Sequence, residues 1–85
     1  MKHAGAAALD ALEPLVAKIR SNAQLREKGR GAFYRKGRAW LHFHEDPAGL
    51  FADLLDGSEW SRLRVSDPAE QQMLLAKISD LLAEP

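Results

Sequence analysis

The sequence predicts an α+β domain: a helix, a four-stranded antiparallel β-meander and a second helix, with both helices packed on one face of the sheet. Three observations predict it. Helical apolar spacing is confined to the two ends of the chain, and an aromatic segment with a Lys36-Gly37 turn occupies the middle. Between that segment and the last helix, side chains keep sorting by a period of two across successive short loops. The 85 residues suffice for one domain, taken as 1–85, with a thin core that association would help.

From Ala4 to Lys28 the chain reads as helical, because Leu12, Leu15, Val16, Ile19 and Ala23 recur at offsets that line one face. Pro14 leaves two possible starts: a cap at Asp10 with Glu13 as its box partner, or an earlier alanine-rich turn. Gly29 and Gly31 are placed as the helix stop, since glycine enters the left-handed cap conformation without a Cβ penalty.

The stretch Gly31 to Glu45 carries four of the six aromatics and two of the three histidines. Closing Lys36-Gly37 as a two-residue loop pairs Arg35 with Arg38, Tyr34 with Ala39 and Phe33 with Trp40. One face then collects Ala32, Tyr34, Ala39, Leu41 and Phe43, which suit a core. The other collects Phe33, Arg35, Arg38, Trp40, His42 and His44. Residues 50–55 lack any β-branched residue and a helix competes there. Strand is preferred, because a four-residue loop at Asp46 to Gly49 pairs Glu45 with Leu50 and His42 with Asp53. A second loop at Asp56 to Glu59 pairs Leu55 with Trp60, Asp53 with Arg62 and Phe51 with Arg64, and both faces stay consistent. Asp67, Pro68 and Glu70 open the last helix, whose buried stripe is Leu74, Leu75, Ile78, Leu81 and Leu82 and which runs to Pro85.

No complete catalytic or cofactor motif is present. The absence of cysteine removes disulfides and thiolate chemistry and fits a reducing compartment, and Asp10 and Glu13 interrupt the apolar run after His3 well short of a signal-peptide core. No segment reaches membrane-spanning length. The expected location is the cytoplasm. Net charge is zero, yet the charges are segregated: nine basic and three acidic residues up to residue 40, three and nine beyond it.

The leading functional reading is a small non-enzymatic interaction module. Phe33, Trp40, Leu55 and Trp60 form one cross-strand row in this register, an apolar patch of the kind that anchors a homodimer or another protein. No cofactor is expected. The first alternative is a small-molecule, metal or enzymatic site on the same face, built from His42, His44, Asp53, Arg62 and Arg64. Imidazoles at alternate strand positions can share an ion, but the third and fourth ligands of a metal site are missing from the pattern, so none is assigned. As an enzyme, His42 would be a base oriented by Asp53 with the arginines holding an anion, and no nucleophile accompanies them. The second alternative is single-stranded nucleic acid on the basic aromatic hairpin (Arg26, Lys28, Arg30, Phe33, Tyr34, Arg35, Lys36, Arg38, Trp40), which the neutral overall charge disfavours.

Overall fold

A computed structural model describes residues 1–84, and the expected helix end at Pro85 lies outside them. The elements run β1 (Lys2–His3), α1 (Ala6–Arg20), β2 (Arg26–Glu27), β3 (Phe33–Arg35), β4 (Arg38–Asp46), β5 (Gly49–Asp56), β6 (Glu59–Arg64) and α2 (Pro68–Ala83). The class is α+β, but the antiparallel sheet has six strands rather than four. Its order is β2-β3-β4-β5-β6, with β1 added to β4.

The centre of the sheet has the expected register. Glu45 pairs with Leu50, His42 with Asp53, Leu55 with Trp60, Asp53 with Arg62 and Phe51 with Arg64. Residues 50–55 are strand despite their lack of β-branching, because pairing on both sides and burial of Ala52 and Leu54 outweigh local propensity. The two loops are tighter than expected. Asp46 pairs with Gly49 and Asp56 with Glu59, leaving two-residue connections.

The first hairpin departs from the expected pairing. Lys36 and Gly37 both have positive φ, 52° and 79°, the conformation that a two-residue hairpin loop with the right twist requires. Arg35 and Tyr34 pair as expected, but a register shift follows, and Phe33 faces Leu41 instead of Trp40. Phe33 therefore lies on the Leu41 side and is only 1% exposed. Trp40, unpaired across the strands, is 4% exposed and joins the same apolar cluster, as does Leu55 at 7%. The expected outer row of Phe33, Trp40, Leu55 and Trp60 does not form: the bulge takes Phe33 out of it, and Trp40 and Leu55 are covered. Of the four, only Trp60 is exposed, at 47%.

The first helix is shorter at its end than its apolar spacing implied. It begins in the alanine-rich stretch, where the Gly5 N–H donates to Glu45 Oε2 at 2.6 Å, and passes through Pro14. It stops at Arg20, well before the expected end at Lys28. Ser21 Oγ donates to the Lys18 carbonyl and Asn22 Oδ1 accepts from Gln24 N, so short polar side chains compete successfully with the helical ladder. Ala23 offered too little apolar surface to resist. Gly29 and Gly31 consequently shape the β2–β3 turn rather than a helix cap, and at Gly31 a Cβ would come within 2.7 Å of Leu9 Cδ2. The capping box of α2 is as expected: Glu70 N donates to Asp67 Oδ1 at 2.8 Å and Asp67 N to Glu70 Oε1 at 3.2 Å. Buried residues of both helices, with Leu41, Phe43, Ala52 and Leu54, form one hydrophobic cluster.

Ion pairs close the turn after α1. Arg20 donates to Glu27 and Glu13, and Arg30 donates to Asp10 and Glu13. The Arg20 hydrogen bond, reinforced by the Gly31 N–H at 2.8 Å, holds the Glu27 carboxyl below its ordinary value of 4.5. A lowered folded value means that the unfolded chain takes up this proton first, so the stabilisation is complete well above pH 4.5 and is lost as pH falls through the folded value. Glu27→Gln should accordingly cost about 1–2 kcal/mol at pH 7, since hydrogen bonds to a charged group are among the stronger ones. The urea midpoints of variant and parent should converge as the buffer is taken to acid. A constant gap down to pH 2.5 would remove this role from Glu27.

Candidate functional site

The face of the sheet opposite the Leu41 side carries a compact polar row. His42 and His44 occupy alternate positions of β4 and share that face, with Asp53 opposite His42 on β5 and Arg62 opposite Asp53 on β6. A third histidine completes the group. β3 is only three residues long and pairs with the first part of β4, leaving the edge at residues 43–45 open. The amino-terminal strand fills it: Ala4 N donates to the Phe43 carbonyl at 3.0 Å, and His3 comes to lie opposite His44.

All three histidines of the chain meet here. One ring nitrogen from each lies within 4.8 Å of the others. The His3 and His44 rings stack with centroids 4.6 Å apart, and His42 Nδ1 is 2.9 Å from His44 Nε2. Trp60 leans on the outer side of His42, ring centroids 5.0 Å apart.

Asp53 serves His44, not His42. Its Oδ2 is 3.1 Å from His44 Nε2, while Arg62 clamps both carboxylate oxygens at 2.7 and 2.8 Å. Such diagonal reach across a ladder is ordinary for long side chains. The expected base oriented by Asp53 is therefore not assembled at His42. The Arg62 hydrogen bonds hold the Asp53 carboxyl below its usual range in spite of burial. An anion at 3.1 Å assigns the His44 proton to Nε2 and leaves the buried Nδ1 without a partner. Burial, followed by the neighbouring His44, lowers the affinity of His42 for a proton and so favours its neutral ring.

Arg64 does not join the group, because its guanidinium reaches the Glu70 carboxylate at 3.0 and 3.1 Å and helps to anchor the start of α2. His3 is the residue that sequence reasoning missed. A two-residue strand has no periodicity of its own, and the one available signal was that a chain with only three histidines places the third beside a lysine ahead of the first helix.

No family model, curated protein or solved structure matches this chain. Among the described residues, no helix is long and apolar enough to cross a membrane.

Proposed function

We propose that the protein binds a divalent transition-metal ion through His3, His42 and His44. The observation that carries this reading is their convergence from strands some forty positions apart in sequence, with donor nitrogens within 4.8 Å of one another. Tetrahedral coordination at about 2.0–2.1 Å sets neighbouring donors roughly 3.3 Å apart. The 2.9 Å separation of His42 Nδ1 and His44 Nε2 is close to an edge of such a polyhedron. Modest ring rotations convert this contact into ligation. Asp53, held by Arg62, lies beside His44 outside the group of three and orients that ring, which leaves the fourth position to solvent or another ligand.

An imidazole-rich set suits zinc, copper, nickel or iron rather than magnesium or calcium. Coordination through His44 Nε2 requires that ring to carry its proton on Nδ1, and because protonation to imidazolium removes the ligating lone pair of each histidine, affinity falls as pH is lowered. The site holds no nucleophile of its own, and the reading is one of ion binding rather than catalysis. Self-association through the sheet face is supported less, since Trp60 is the sole exposed member of the expected aromatic row.

The reading is tested by zinc titration followed through the histidine ring resonances. The three imidazoles should shift together and saturate at one equivalent. His3→Ala, which removes an exposed residue from a two-residue strand, should weaken binding at least tenfold while leaving the fold intact. Unmoved histidine resonances, or equal affinity in His3→Ala, would overturn the proposal.

A further inference from the structure

We infer that a second site, remote from the histidines and sharing no residue with them, takes a phosphate monoester with a small apolar body. It is a hollow of about 240 Å³ where the β3–β4 turn, the β5–β6 turn and the last turn of α2 meet. Arg35, Lys36 and Arg38 line it on the hairpin side, and Trp40, Leu55 and Leu81 supply apolar walls.

Two independent features indicate an anion. The first is the state of the cations. Arg20, Arg30, Arg62 and Arg64 each hold a carboxylate, whereas Arg35, Lys36 and Arg38, like Lys18, Arg26 and Lys28, make no ion pair among the described residues, and the former three share one turn and one hollow. Three like charges brought together on one turn repel one another unless a counter-charge joins them. The second is an orphaned donor. Arg35 Nε is buried without an acceptor, its guanidinium carbon 5.9 Å from the centroid of the Trp40 ring. A buried N–H left unsatisfied is costly, and an acceptor oxygen that reached it from the hollow would relieve that cost.

The charge of the hollow selects the ligand. Among the described residues, three cations stand against one carboxylate, Glu84, an excess of positive charge that suits a phosphate monoester near neutral pH. A guanidinium fork also suits phosphate geometry better than an ammonium alone. The apolar walls and the small volume call for a compact organic group on the ester oxygen rather than a long chain. Single-stranded nucleic acid is the less favoured occupant. Trp40 is buried and Tyr34 is already capped by Lys28 at 4.7 Å, so neither ring presents a free face to a base.

The test uses the full chain carrying Trp60→Phe, so that Trp40 becomes the only tryptophan and reports on the hollow. Phenyl phosphate should change its emission saturably, inorganic phosphate should bind more weakly, and phenol should have no effect. Arg38→Gln, an exposed position whose loss leaves the core untouched, should weaken phenyl phosphate binding at least tenfold. The Arg35 Nε–H resonance should move on saturation, which a merely peripheral encounter would not cause. The inference is overturned if phenyl phosphate gives no saturable change, if phenol matches it, if Arg38→Gln and Arg35→Gln both bind as tightly as the parent, or if only a single-stranded oligonucleotide responds.

Discussion

Phe33→Ala should destabilise the protein by about 3–5 kcal/mol, the range for truncating a fully buried aromatic. Domains of this size have total stabilities of roughly 5–15 kcal/mol, so the variant should be close to unfolding at room temperature. The cause is the bulge in the first hairpin. By pairing Phe33 with Leu41, it turns the ring into the cluster formed with α1 and α2, where 1% of its surface is left to solvent. Trp60→Ala removes a larger side chain and should cost under about 1 kcal/mol, because that ring is 47% exposed and lies against His42 at the rim. Urea denaturation of the two variants makes the comparison directly. Should Phe33→Ala prove as mild as Trp60→Ala, Phe33 belongs on the outer face and the bulge is wrong.

Zinc should raise the melting temperature by about 10–20 °C. A ligand that binds only the folded state at one hundred times its dissociation constant contributes about 2.7 kcal/mol, and each kcal/mol moves the midpoint of a domain of this length by about 4–8 °C. The unfolded chain cannot hold the same ion with comparable affinity, since His3 and the other two ligands are far apart in sequence and meet only when β1 docks on β4. His44→Phe keeps the ring volume roughly constant and removes the central ligand, so its melting temperature should be indifferent to zinc. A chelator should return the parent to its metal-free value. The gain should also shrink between pH 7.5 and pH 5.5, because protons compete for the imidazoles. An equal rise in parent and His44→Phe would place the ion elsewhere.

The two experiments also separate the parts of the molecule that were legible in advance from those that were not. The three-strand register from Arg38 to Arg64 could be read directly, because each correct pairing of Glu45, Asp53 and Leu55 keeps apolar residues on one side, and a slip by one residue would turn all of them over. The start of α2 could be read for a similar reason: Asp67, Pro68 and Glu70 act within one turn of each other. His42, His44, Asp53 and Arg62 were brought to one face by that register alone.

Residue order by itself thus determined the class of fold, the second helix and the face on which four of the site's polar residues gather, all of them outcomes of local periodicity. Tertiary structure decided three things. It ended α1 at Arg20, where Asn22 and the Glu27 ion pair offered more than another turn of helix, and it displaced Phe33 and Trp40 into the core. It also carried His3 to the open edge of β4. His3 reaches its place through a contact between segments far apart in the chain, while the other two turn on short-range side-chain hydrogen bonds and a strand bulge, and none of the three leaves a repeat in the sequence by which it can be recognised.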